Sequence, residues 1–536
     1  MARADTGYLG AKRELEPAVR QPLRKKAGQQ IAVVQTYPAP VGGWNARDAL
    51  AEMPPTDAVA LENWFPKTTY CEVRGGWSDY ADDMTGDIMT LAVYNALNGT
   101  NKFFGASNDD IWDISSSGGG VSTGVTVTNG RWQYLNFGDG TNNYLIMVNG
   151  VDDAHYFNGT SWIAVNSGSS PALTGVNSSD LIQVMIYQGR LFFIEKDSLN
   201  FWYLAAGAAG GALTKFNLSS IARMGGYLMA MATWTFDGGN GPDDYAVFVT
   251  SEGEIIVYRG TNPGDASAWT KIGTYFIGMP IGRRCFVSYG GDIVLITQNG
   301  AFPLSAALQS STIDRRVALT DKIESAFNAA SRSYRTIWGW DATLFPAQSA
   351  LIFNIPTQEN AAAEQYVMNT ITKSWCRFTG WNANTFAVFN GELYFAVGSE
   401  VKKAWEGPAD GVSNIQVYGK TAFSNFGKDS QEKRFNLFRP VLAVNGSLNF
   451  LTGMDVDYND TPILGSATYS VTSGAVWDAS NWDQAFWAAN LQVQKAWTSP
   501  QQNIGYAAAG KIKIGTNSLT VQWLASDYLY ESGGVL

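Results

Sequence analysis

The chain has 536 residues, 45% hydrophobic and 13% aromatic, with 56 glycines and only 16% charged side chains, which excludes wholesale disorder and favours strands and tight turns over long solvated helices. Its formal charge of −10 is uneven: residues 1 to 30 hold seven basic and three acidic side chains, a net +4, leaving −14 on the remainder. An acidic body argues against non-specific nucleic-acid adhesion, since phosphate binding needs Lys and Arg clusters, and three widely spaced cysteines, Cys71, Cys285 and Cys376, offer neither a disulfide framework nor a CxxC metal spacing and read as buried thiols.

No run reaches the roughly 20 apolar residues of a membrane span, and the basic N-terminus has no apolar secretory core, so the expectation is synthesis in a cytosol without export by the usual route. Residues 1 to 40, with Pro17, Pro22, Pro38 and Pro40 and little periodicity, read as an extended basic arm. Arg20, Arg24, Lys25 and Lys26 are its candidate contact residues, for docking onto an acidic protein surface or onto DNA; the plain alternative is a solubilising tail. Ordering such a segment costs roughly 1 to 2 kcal/mol per residue, so docking needs compensating contacts. Residues 41 to 87 are expected to pack on the domains that follow.

From about residue 88 to 420 one grammar repeats: apolar strand, turn, strand, tight turn, strand, often a fourth strand carrying Trp. The copies are 88–129, 131–166 (RWQYLNF, NYLIMVNG, AHYFNG, SWIAVN), 181–218, 226–278, the stretch RRCFVSYG with GDIVLITQNGAFPLS, 338–380 and 385–407. Seven such meanders of roughly 35 to 50 residues predict an all-β chain containing a β-propeller of about seven four-stranded blades, with six as the other count. One meander cannot hide both faces; radial stacking hides them. A pair of β-sandwiches is the alternative, but runs such as VLI and LIFNI lack the alternation it requires and read as buried on both faces. GDIVLITQNGAFPLS is read as the inner two strands of its blade, with Pro303 marking an edge. RRVALTDKIESAFNAAS (315–331) has helical spacing, Asp321 as N-cap before Glu324, and is read as a helical insertion in the fifth unit. Beyond 420, FRPVLAVNGSLNFLTGMDVDYND and GYAAAGKIKIGTNSLTVQWLASDYLYE read as hairpins of a separate C-terminal β-sandwich platform, 421–536.

Three stretches, GGWNARDALAEMPPTDAVALENWFP (42–66), VYRGTNPGDASAWTKIGTYFIGMPIGRR leading into GGDIVLITQNGAFPLS (257–305), and KRFNLFRPVLAVNGSLNFLTGMDVDYND (433–460), resemble the tail-nozzle, or tail tubular B, family of short-tailed bacteriophages. The resemblance spans most of the chain beyond residue 30. It implies a propeller plus platform, a homo-oligomeric ring of six copies below the head-to-tail adaptor, tail fibre or spike and needle or plug proteins as further partners, and a lumen that DNA crosses without sequence-specific contact. The location implied is the virion tail, assembled in the host cytoplasm. No catalytic residue comes with the family, and the basic extension before about Gln21 is not part of its pattern.

Catalytic chemistry is sparsely supplied. His155 is the sole histidine, which removes His-based triads and His-rich zinc sites and reads as structural. A glycan-cleaving propeller would need a close carboxylate pair, and the SxDxGxxW turns of propeller sialidases are missing. No enzyme, cofactor or metal is expected. Asp455, Asp457 and Asp460 in GMDVDYND raise a calcium reading without EF-loop spacing, against a solvated strand end; DGGNGPDD (237–244) is discounted likewise. Trp477, Trp482 and Trp487 recur every five residues beside Asp478 and Asp483. They support the alternative of a host-glycan-binding module, against indoles packed on the platform or on a neighbouring subunit.

Overall fold

Strands dominate the computed structural model, which describes residues 32–237, 242–307, 315–463, 491–494, 496–499 and 504–535. Seven sheets are arranged around one axis. Their inner strands are Thr90–Tyr94, Gln133–Gly138, Leu181–Tyr187, Leu228–Asp237, Phe286–Tyr289, Asp341–Phe345 and Thr385–Phe389. Consecutive sheets touch through these strands, except that blade 4 meets blade 5 through Leu228–Asp237 against Asp292–Thr297, and the ring closes where Thr385–Phe389 meets Thr90–Tyr94. The molecule is therefore a β-propeller. The expected β-propeller is borne out: six blades carry four meander strands, the seventh with the two-residue strand Gly118–Gly119 added at its edge, and the fifth has three.

Local turn chemistry builds each meander. The turns between first and second strands at Gln188-Gly189, Gly290-Gly291 and Asn390-Gly391 all have both central residues at positive φ, the geometry whose twist matches paired strands and that favours Gly and Asn. Second strands such as Asn143–Val148 and Asp292–Thr297 are buried at five of six positions, because a blade lies against each face; this is why they read as unbroken apolar runs. Between blades 3 and 4, Phe201 stacks on Phe248 at 4.5 Å and Phe192 on Trp269 at 6.2 Å. Each such fully buried aromatic contributes about 1.5–3 kcal/mol.

Blade 5 has its strands at Phe286–Tyr289, Asp292–Thr297 and Gly300–Pro303. GDIVLITQNGAFPLS thus supplies the second and outermost strands, not the inner two, and Pro303 ends the edge strand. Where a fourth strand would follow, helix Glu324–Tyr334 packs between Gly300–Pro303 and Ala350–Gln358, with buried Phe327 6.0 Å from the Trp340 ring. Asp321 is not its N-cap: that position is Ile323, and Asp321 sits in a preceding 3-10 turn where its carboxylate pairs with Arg47.

Blade 7 takes only three strands from 385–404; its fourth, Trp77–Asp82, comes from the N-terminal side and pairs antiparallel with Glu400–Ala404. Just before it, the fully buried Arg74 binds both oxygens of Asp410 at 2.8 and 2.7 Å, donates to Asn63 Oδ1 at 2.9 Å and the Thr379 carbonyl at 2.5 Å, and stacks 5.0 Å from Trp381. This ion pair fastens the closing strand to the end of the chain's last blade.

The platform is not confined to 421–536, nor separate. One of its sheets is built on Gln431–Val444 and Val521–Val535, flanked by Val33–Pro38, Trp64–Pro66 and Cys71–Val73. Residues 33–38, read above as part of an extended arm, are thus a strand in full register with 525–530. The facing strands Asp57–Glu62, Ile415–Thr421, Ala508–Thr516 and Phe450–Val456 continue blade 6 through the Glu62–Arg377 bridge into one nine-stranded sheet. Trp64 and Trp523, both fully buried, meet at 5.6 Å between the two layers. Among the described residues no helix is long and apolar enough to cross a membrane.

Candidate functional site

Arg283 and Arg284 precede the inner strand of blade 5 and reach the propeller axis. They line a pocket of about 340 Å³ with Gln133, Tyr134, Gln183, Asp341 and Thr385, residues from the first turns of the inner strands, so those strands present their N-terminal ends to one face. Arg284 donates to Thr385 Oγ1 and Thr90 Oγ1 at 2.7 Å each and to the Trp132 carbonyl at 3.0 Å. It lies 3.8 Å from Asp341 and 5.1 Å from the Trp338 ring, which Arg131 also approaches at 5.2 Å. One guanidinium therefore ties blades 1, 6 and 7 to the loop entering blade 2. Burial pulls its pKa down and pushes the Asp341 carboxyl up to about 6, against the opposing pull of Arg284. The Nε2 of Gln133 is buried without a hydrogen-bond partner.

Chemically this is an electrostatic clamp. Asp341 is the one carboxylate among the described residues lining the pocket, so the two-carboxylate arrangement of glycoside hydrolysis is not assembled there.

Asp455, raised as a calcium ligand or a solvated strand end, is neither. It is fully buried with lysine ammoniums on both sides, Lys420 at 2.8 Å and Lys511 at 2.7 Å, while Asp460 pairs with Lys420 at 2.9 Å. Asp457 accepts the Tyr506 N–H at 2.7 Å. Two cations already neutralise the site a metal would need. Burial works to raise the Asp455 pKa, and the hydrogen bonds from Lys420, Lys511 and Thr461 overcome it and hold it below the ordinary value. Among the described residues no group of three or more His, Cys, Asp or Glu is arranged to hold a metal ion. In DGGNGPDD, residues 238–241 lie outside the described set, and the Asp244 carboxylate accepts from Thr235 at 2.7 Å and Gln188 at 3.0 Å.

The other sequence candidates divide cleanly. Arg20, Arg24, Lys25, Lys26, Trp477, Trp482 and Trp487 lie outside the described residues. His155 is buried edge-on to Trp132 at 5.4 Å, with Nδ1 donating to the Asp153 carbonyl at 2.7 Å and burial depressing its pKa. All three cysteines are buried and free, and burial raises each thiol's pKa, Cys285 to about 12. The arginine pair at 283–284 was not singled out by sequence reasoning; adjacent arginines opening an apolar strand in RRCFVSYG are its only signal.

The fold is a β-propeller that shares a sheet with a two-layered β platform. No protein-family model matches the chain, and no curated protein matches it. Among solved structures it is similar to BBS1N in complex with ARL6DN (11% identity, 62% of this chain and 98% of that chain, TM-score 0.36). It is also similar to Sqt1 of Saccharomyces cerevisiae (10%, 65% and 86%, 0.34) and to the β-propeller domain of Cps50 (Swd1) from Myceliophteria thermophila (10%, 60% and 98%, 0.37). The propeller assignment rests on the strand order and ring closure described above.

Proposed function

We propose that this chain is a structural subunit of the tail nozzle of a short-tailed bacteriophage, forming a homo-oligomeric ring below the head-to-tail adaptor through which the genome leaves the particle. The nozzle reading comes from the resemblance at 42–66, 257–305 and 433–460; the observation that carries its oligomeric part is the platform's open edge. Among the described residues, Val33–Pro38 pairs with Val521–Val535 on one side only and exposes Val33 and Val34. An unpaired edge with exposed valines is a template for a neighbouring chain. The nine-stranded sheet shared by blade 6 and the platform supports a one-piece building block. In this reading the mechanism is mechanical and electrostatic: a body carrying −14 outside residues 1–30 repels phosphates and keeps DNA moving, where a Lys-lined channel would hold it.

Mass measurement of the purified protein and of isolated tail assemblies tests this. Rings of about six copies in the assembly support it; a chain that stays monomeric and is never incorporated contradicts it.

A further inference from the structure

We infer that the propeller face around Arg283 is a docking surface for a protein segment that presents a carboxylate among apolar side chains. The face is the one on which the inner strands begin, and the surface spans blades 2 to 4. Arg283 lines the axial pocket, yet among the described residues its guanidinium hydrogen-bonds only the Asn149 carbonyl, at 3.4 Å. Every other arginine described at this mouth has a carboxylate: Arg284 has Asp341 and Arg131 has Glu359. Asp197 acts on it only from beyond ion-pair distance, and a partly desolvated guanidinium without a hydrogen-bonded carboxylate strengthens its contact with any carboxylate that reaches it.

The surroundings are apolar where a soluble surface is ordinarily polar. Met224, Tyr227, Phe276 and Met279 are each between 39% and 52% exposed, and all four flank the one turn between the second and third strands of blade 4. The Met224 N–H donates to Glu254 at 2.8 Å, Ser251 N–H to the Tyr227 carbonyl at 2.8 Å, Phe276 pairs with Glu254, and a Cβ on Gly253 would sit 2.8 Å from the Met279 nitrogen. The patch adjoins the arginine along the chain: Met279 is four residues before it. Val151, 55% exposed, stands on the other side, next to Gly150, where a Cβ would lie 3.8 Å from the Arg283 guanidinium.

Tyr, Phe, Met and Arg are enriched at the buried centres of protein interfaces, where apolar anchors seal a charged contact from water. Asp197 and Glu252 beside the patch disfavour a polyanionic partner such as nucleic acid. A single carboxylate set among apolar residues satisfies both the guanidinium and the patch.

The test is an array of immobilised hexapeptides carrying one Glu among Phe, Leu and Met, with matched Gln and Lys versions and a single-stranded oligonucleotide, probed with the full chain. The wild-type protein is expected to prefer the Glu peptides at least tenfold. Arg283→Glu is expected to move the preference to the Lys peptides, and Phe276→Ser with Met279→Ser, at exposed positions, to weaken all binding at least tenfold while leaving the far-ultraviolet circular dichroism unchanged. Equal binding of Glu, Gln and Lys peptides, retention by the Phe276→Ser and Met279→Ser variant, or preference for the oligonucleotide overturns the inference.

Discussion

Replacing Arg74 with Met isolates what the closing of the ring costs when its ionic fastening is lost. Methionine keeps an unbranched apolar stem of similar length, so the change removes a charge, its stacking on Trp381 and Phe378, and five hydrogen bonds, to Asn63, Gly75, Thr379 and both oxygens of Asp410. Asp410, with only 12% of its side chain exposed, is left without its cation. Removing one partner of a buried pair typically costs about 3–5 kcal/mol, most of it from the charge left behind. Arg74→Met should therefore lower the free energy of unfolding by that amount in urea titrations followed by tryptophan fluorescence. Adding Asp410→Asn should restore at least about 1 kcal/mol, because the residual cost is a stranded carboxylate. Amide exchange should accelerate first in Trp77–Asp82. A loss below about 1 kcal/mol, or a double variant no more stable than the single one, would refute the reasoning.

Lys511→Met removes one of the two cations on Asp455 and leaves Lys420, and should destabilise the platform by about 1–3 kcal/mol in the same titration, less than loss of a sole partner would. Because the Asp455 pKa is held below its ordinary value, its stabilisation is present above the unfolded carboxylate pKa and is lost as pH falls through the folded one; Asp455→Asn should flatten acid unfolding below about pH 4. Asp341 has the opposite sign: with its carboxyl pushed up to about 6, the folded state holds the proton more tightly. Its contribution is therefore full below the ordinary value and declines as pH rises toward 6, a slope that Asp341→Asn should remove. The three buried thiols should stay unreactive toward an aromatic disulfide reagent in the native protein and react fully in denaturant; a stoichiometric native reaction would contradict their burial.

Blades 2, 3 and 4 were legible because their pairing is local in sequence, and NYLIMVNG, RLFFIEKD and DYAVFVTS carry the burial pattern on their own. Trp77–Asp82 was not, since its partner at 400–404 lies over three hundred residues away and WSDYAD has no run that marks an inner or second strand. Val33–Pro38 was masked by the basic, proline-containing residues before it; its strand conformation is imposed by the ladder along 525–530, and Pro38 ends the pairing. The Asp455 cluster needed Lys420 and Lys511, brought together only when three strands of one sheet align, so its carboxylates looked solvated in sequence. Arg283 was illegible for the converse reason: a missing partner shows only in three dimensions. The helix at 324–334 followed from periodicity, but its start did not, because Asp321 found a stronger partner in Arg47 than in the helix N-terminus.

The central functional claim is assembly into a conduit, and electron microscopy of the protein in isolated tails tests it most directly. The account predicts closed rings of about six subunits around an acidic opening wide enough for duplex DNA. Particles in which this chain is present as isolated monomers, or as a ring whose opening is lined by a continuous basic surface, would contradict it.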